Sequence, residues 1–413
     1  MRRHTLRLGA AATATVVLTG LAGCGVGEDD GKVTIELFQF KSEAGGTFEA
    51  IAKDFEAEHP DIDVVVNNSP NAETAIRTRL VKNDVPDVIT LNGNSVFGEL
   101  ASAGVFHDFA GDPVAEDVNP AIQQILDDLG THGQEESNGL PFASNANGVI
   151  YNKDLFEKHG VEPPRTWDEM IAAAEKFEAE GVNPFFFTLK DAWVSLPPFN
   201  ALASNIQDED FFEELEADRT SFEQVYPPVV DKLEQLFSYA QDGYLSRDYN
   251  SGNQAFAAGQ SAMYLQGSYA IPAIKSFEPD FEIGTFALPP FDDAEQTRLV
   301  SGVDVALTMG RDPEHPEESM QLIRYLMRPE VVQRYAEEQF AVPPLEGLTS
   351  DAPELEGLLP YFEQGRLVGY TDHHIPLTIG LDAILQEFLL GGDREAVLEE
   401  LDDEWDKVAA RRA

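Results

Sequence analysis

The chain has 413 residues, of which 74 are Asp or Glu and 28 are Lys or Arg, giving a formal net charge of −46. Such a surface repels phosphate backbones and anionic headgroups, so no nucleic acid is expected as a partner. The acids are spread along the whole chain, as in Asp208-Glu209-Asp210 and Asp402-Asp403-Glu404, which reads as a solvated acidic surface more readily than as one site for cationic ligands. The single cysteine leaves no intramolecular disulfide to stabilise the fold.

At the start, Arg2, Arg3 and Arg7 precede an apolar stretch from Leu8 to Leu21. This is the charged, apolar and small-residue layout of a secretory signal, too short to span a bilayer as a stable helix. The segment Leu21-Ala22-Gly23-Cys24 resembles the lipobox of bacterial lipoproteins. That resemblance implies a signal peptide over 1–23, cleavage before Cys24, and a diacylglyceryl group on its sulfur. The protein would then sit lipid-anchored at the extracellular face of the cell membrane, since two acyl chains suffice for stable attachment. Residues 24–32, rich in Gly, Asp and Glu, read as a tether.

The folded part begins with Val33 to Phe38, which alternates as a strand. Phe48, Ile51, Ala52 and Phe55 recur at helical spacing, with Pro60 beyond the helix end. Ile62 to Val66 predicts a second strand, Thr74 to Val81 part of a second helix, and Val88 to Leu91 a third strand. The order β-α-β-α-β implies parallel strands joined by right-handed crossovers. Ligands of such sheets sit beyond the carboxyl ends of the strands, which points to Gln39, Phe40 and Lys41 after the first strand and to Asn92 and Asn94 after the third. These amide-rich ends suit hydrogen bonding to a neutral, polyhydroxylated ligand, although Asn-Gly is also ordinary turn chemistry. Further on, Thr166 and Glu169 form a capping box, Trp167, Met170, Ile171, Ala174 and Phe177 an apolar stripe, and Gly181 a stop.

The run Gly148-Val149-Ile150-Tyr151-Asn152-Lys153-Asp154-Leu155-Phe156, followed by Pro163-Pro164-Arg165-Thr166-Trp167-Asp168-Glu169, resembles the most recognisable stretch of the family 1 extracellular solute-binding proteins. These are the sugar-binding subunits of bacterial ABC importers. Phe48 to Pro60, Pro86-Asp87-Val88, Ala255 to Tyr269, Phe286 to Pro289, the helix Glu317 to Met327 and Pro329 to Val332 agree in order. The likeness covers nearly the whole chain after the tether.

The resemblance implies an α/β, two-lobed, type II periplasmic-binding-protein-like fold, each lobe a mainly parallel sheet flanked by helices, with the ligand cleft between the lobes. Residues 33–143 with 303–342 would form lobe I, and 148–299 with 343–413 lobe II. The chain would cross between them near 144–147, 300–304 and 342–344, where Gly148 and Gly302 suit a hinge. Sugars are held by aromatic faces against ring C–H groups and by amides and carboxylates on hydroxyls. Of the three tryptophans, Trp167 and Trp405 are expected in packing, whereas Trp193 lies in a loop where the family often places a cleft aromatic. Gln266 and Tyr269 match the segment that ends at a stacking aromatic, and Asn145 matches a ligand-contacting position at the first crossing. Asp304, Glu43, Tyr370 and His374 complete the candidate set, with Asp372 and His373 beside the last two.

No metal site is expected, because adjacent histidines point in different directions and no second His pair exists. No cofactor is implied. The chain is read as a non-enzymatic, monomeric carbohydrate binder, for an oligosaccharide, that hands its ligand to the ABC transporter's permease subunits. Three other readings remain open: a lipid-anchored glycoside hydrolase, a polyamine or other cationic-solute binder, and a tethered sensor. The chain lacks G-x-S-x-G, P-loop and zincin motifs, and its β-α pattern does not run on to a barrel.

Overall fold

Alternating β-branched and apolar residues at the start of the fold produce β1 (Val33–Gln39), and the Phe48/Ile51/Phe55 stripe folds as α1 (Gly45–Glu58) and buries against it. β2 (Ile62–Asn68), α2 (Ala72–Val81) and β3 (Val88–Leu91) follow. β1 pairs in parallel with both β2 and β3, with Leu37 opposite Val66 on one side and Val88 on the other. This is a computed structural model, and it describes residues 32–412 apart from 42–43, 70–71, 83 and 131–135. The signal segment, Cys24, nearly all of the tether and Glu43 lie outside the described residues.

α3 (Ser95–Ser102) and α4 (Pro120–Gly130) pack together, so closely that a Cβ on Gly98 would lie 2.1 Å from the Leu129 carbonyl oxygen. β4 (Leu140–Ala146) then leads out of this half, and β5 (Val149–Asn152) begins the other after two residues. α5 (Lys153–His159), α6 (Trp167–Ala179) and α7 (Leu196–Ile206) flank the second half. The capping box forms at α6: Thr166 Oγ1 accepts from the Glu169 amide at 3.2 Å, and the Glu169 carboxylate accepts from the Arg165 amide at 2.8 Å. β6 (Met263–Tyr264) and β7 (Ile283–Phe286) complete the smaller sheet, in the order β6-β5-β7.

β8 (Leu299–Thr308), buried along its whole length, returns to the first half. It inserts antiparallel between β3 and β4, giving the order β2-β1-β3-β8-β4, and β9 (Leu367–Val368) pairs with its first residues. The result is a two-lobed α/β fold. One detail differs from the expectation of mainly parallel sheets in both lobes. In the smaller sheet, β5 is antiparallel to both neighbours. β5 enters from β4 in the other lobe, so its direction is set by that entry. β6 and β7 do run the same way, but on opposite sides of β5.

Each lobe has its own apolar cluster. One gathers Phe48, Phe142, Val332 and Tyr335, and the other Trp167, Phe199, Phe222, Tyr226 and Trp405. Each large apolar side chain so buried contributes about 1.5–3 kcal/mol. A third cluster, containing Phe38, Leu91, Ala146, Ile150, Ile271 and Val303, runs beneath both sheets.

The three segments expected as crossings lie side by side. Ser144 and Val342 exchange backbone hydrogen bonds of 2.8 and 2.9 Å, Asn145 pairs with Gly302, and the Asn147 amide donates to the Val300 carbonyl at 2.8 Å. Gly148 and Gly302 are not left-handed. Their reason is room: a Cβ would sit 2.6 Å from the Phe286 carbonyl oxygen at Gly148 and 2.6 Å from the Tyr370 ring at Gly302.

Candidate functional site

The carboxyl end of β1 supplies the first wall. Gln39 has no accessible surface. Its amide nitrogen donates to Asn68 Oδ1 at 2.5 Å and its amide oxygen accepts from the Lys41 backbone. It therefore positions Lys41 and leaves ligand contact to its neighbours. Phe40 is half-buried and packs on two of the apolar clusters. The Lys41 ammonium pairs with the Asp304 carboxylate, both side chains being 11 % exposed.

Asp304 stands on β8 and also accepts from Asn145 Nδ2 at 3.1 Å, while Asn145 Oδ1 accepts from the Tyr370 hydroxyl at 3.0 Å. Lys41, Asp304, Asn145 and Tyr370 thus form one hydrogen-bonded row that links the end of β1 to β8, β4 and the segment after β9. Burial, reinforced by Tyr269, Asp372 and Asp304, holds the Tyr370 phenol far above its ordinary range, so it acts only as a neutral hydroxyl.

α7 fixes the segment after Tyr370. Asn200 Oδ1 accepts from the Asp372 amide at 3.0 Å and Ser204 Oγ accepts from the Thr371 amide at 3.1 Å. Burial raises the Asp372 carboxyl above its ordinary value, against the pull of His373 and Asn200. One Asp372 oxygen has no hydrogen-bond partner, and the His373 ring lies 4.0 Å from it.

A second group of candidates is aromatic. Trp193, 37 % exposed, sits in the turn Ala192–Ser195 that leads into α7. Its ring meets Tyr249 at a centroid distance of 4.9 Å and 58°. Asp191 accepts from the Tyr249 amide at 2.9 Å, tying the two loops together. Tyr269 is half-buried, its hydroxyl donating to buried Gln266 at 3.1 Å. Burial, with Tyr249, Asp372 and Asp304 nearby, holds its phenol well above the ordinary range.

The structure therefore joins Lys41, Asp304, Asn145 and Tyr370 in one row, sets Tyr269 near Asp304 and Tyr249, and pairs Trp193 with Tyr249, while Gln39 and Gln266 hold Lys41 and Tyr269. Asn92 is half-buried at the β3 end, and Asn94 is committed to capping α3, accepting from the Val96 amide at 3.0 Å. His374 departs from the group: its ring stacks on Phe212 at 5.0 Å and 23°, lining a separate crevice. Tyr370 precedes the 3₁₀ turn Thr371–His374 and His374 ends it, so the two rings leave the turn toward different partners. Trp167 and Trp405 are core residues, 6 % and 5 % exposed. The sequence reading missed Tyr249 and Asn200. Asp248 capping the helix Tyr249–Ala257 was the available signal for the first; the i, i+4 spacing of Asn200 and Ser204 on α7 was the signal for the second.

A larger cavity, of 690 Å³, lies between the loop holding Pro163-Pro164-Arg165, the outer edge of β7 and residues 353–366. It includes none of the residues above. Among the described residues no group of three or more His, Cys, Asp or Glu is placed to hold a metal ion, and no helix is long and apolar enough to cross a membrane.

Comparison with known proteins decides the family. The model for bacterial extracellular solute-binding proteins matches residues 41–333. The chain belongs to this family. It is 31 % identical over 323 residues to the multiple sugar-binding protein of Streptococcus mutans, covering 74 % of this chain and 73 % of that one. It is 22 % identical to the melibiose/raffinose/stachyose-binding protein MelE of Bacillus subtilis, over 78 % of each. Among solved structures, apo RafE from Streptococcus pneumoniae superposes with a TM-score of 0.80 at 28 % identity, covering 91 % of this chain and 98 % of that one. RafE in complex with raffinose superposes with a TM-score of 0.78. These solute-binding relatives are binding proteins, not enzymes, and the hydrolase reading falls with them.

Proposed function

We propose that the protein is the extracytoplasmic solute-binding lipoprotein of an ABC importer and captures an oligosaccharide by closing its lobes around it. The observation that carries this reading is the pairing of an aromatic wall (Trp193, Tyr249, Tyr269) with a hydrogen-bonding wall (Lys41, Asp304, Asn145, Tyr370) at the meeting point of three chain crossings. Ring faces cover sugar C–H surfaces while the polar row takes hydroxyls. The raffinose complex of RafE and the names of the Streptococcus mutans and Bacillus subtilis relatives support a sugar as the cargo. Rotation about 144–147, 300–304 and 342–344 would move lobe I (33–143 with 303–342) against lobe II (148–299 with 343–413). The ligand shifts that equilibrium only by its preference for the closed state. The closed form would then dock on the permease.

A thermal-shift screen of the purified protein against raffinose, stachyose, melibiose, maltotriose, polyamines and amino acids tests the cargo. A sugar should raise the melting temperature; a polyamine doing so while no sugar does would overturn the assignment. Anchoring through Cys24 is tested separately by Cys24→Ala, which should release the protein from the membrane fraction. Retention there would remove the lipid from the account.

A further inference from the structure

We propose that the crevice between α3 and the His374 turn is a second binding site, one that takes a small organic cation such as a quaternary ammonium compound. It has a volume of 320 Å³, and its walls come from different lobes. Ser95, Gly98, Glu99 and Ser102 fall at i, i+3, i+4 and i+7 on α3, so they form one helix face along one wall. Opposite lie Phe212, Glu216, His373, His374 and Trp405, with the His373 ring 4.8 Å from that of Tyr370. None of the sugar-site residues Lys41, Asn145, Trp193, Tyr269, Asp304 or Tyr370 lines it.

The chemistry of the lining selects the ligand class. Phe212 is the centre of an aromatic group: its ring is 5.0 Å from the His374 ring and 5.9 Å from the Trp405 ring. Such π faces attract a cation and are indifferent to an anion's needs. A carboxylate stands on each wall, Glu99 on one and the exposed Glu216 on the other, and no lysine or arginine lines the space. Arg77, which pairs with Glu99, is outside the lining. An anion would meet two carboxylates, with the imidazoles of His373 and His374 as the only lining groups able to balance them. An organic ammonium needs only acceptors and aromatic faces, both of which are present. The net charge of −46 also concentrates cations near the surface.

Because the walls belong to different lobes, a molecule held between them stabilises the lobe arrangement that keeps them at this separation. Its binding is therefore linked to sugar binding in the main cleft. The site itself does not depend on the main cleft's ligand being a sugar.

The test is titration calorimetry of the full chain with choline and with its neutral isostere 3,3-dimethylbutan-1-ol, at constant ionic strength set with sodium chloride. Choline should bind with a saturable one-site isotherm, and the isostere about tenfold more weakly or not at all. Glu216→Gln, on an exposed residue, and Phe212→Leu should each weaken choline binding about fivefold or more while binding in the main cleft persists. Absence of saturable choline binding overturns the proposal. Equal binding of the isostere would mean an apolar crevice, and indifference to both substitutions would mean general attraction to an acidic surface; either result also overturns it.

Discussion

The two walls of the cleft are built on opposite principles. In one of them, Lys41, Asp304, Asn145 and Tyr370 already bond one another. Their geometry is set before any ligand arrives, but each contact a sugar makes there competes with one already present. On the other side, Trp193 keeps more than a third of its surface open, with its ring against Tyr249. On the proposed reading, that open face is what a sugar ring would cover. If the proposed cleft is right, the polar row would govern fold integrity and orientation, while the aromatic wall would supply affinity.

Substitutions separate these roles. The largest effect is expected from Asp304→Ala, which leaves the nearly buried Lys41 ammonium without its carboxylate and should cost about 3–5 kcal/mol of stability in urea unfolding. Replacing the pair together, Lys41→Met with Asp304→Leu, should recover most of that loss. If the single substitution is silent, the row is not a structural element. Trp193→Ala comes next: sugar affinity should fall roughly 10- to 100-fold while the melting temperature moves less than about 2 °C. A melting shift larger than the binding loss would place Trp193 in the core instead. Tyr370→Phe removes one hydrogen bond to Asn145 and should cost about 1 kcal/mol, divided between stability and binding.

The smallest effect concerns pH. Burial raises the Asp372 carboxyl above its ordinary value of 3.8, so the native state holds that proton more tightly than the unfolded chain. The resulting stability is fully present below pH 3.8 and is lost as pH rises through the higher native value. Relative to Asp372→Asn, the wild-type protein should lose stability across that window. Parallel pH profiles for the two would remove Asp372 as a buried acid.

Much of the first lobe could be read from local pattern, because alternation and helical spacing are decided by neighbours in sequence. Val88 to Leu91 and the Thr166–Glu169 box are examples. The strand-end rule led from β1 to Lys41 without any structure. The antiparallel insertion of β8 between β3 and β4 could not be read this way, since its partners lie more than 150 residues away in the chain. The distinction between Tyr370 and His374 failed for a related reason. A four-residue turn sends one ring toward Asn145 and another toward Phe212, and nothing in Tyr-Thr-Asp-His-His encodes which. Tyr249 escaped because its partner Trp193 comes from a different loop.

The central claim is that this cleft holds an oligosaccharide against its aromatic wall. Titration calorimetry of the wild type and of the double variant Trp193→Ala with Tyr249→Ala, against raffinose and stachyose, tests it most directly. The account predicts one-site binding of at least one sugar by the wild type and loss of that binding in a variant that still unfolds cooperatively. Sugar binding of unchanged affinity in the double variant would contradict it.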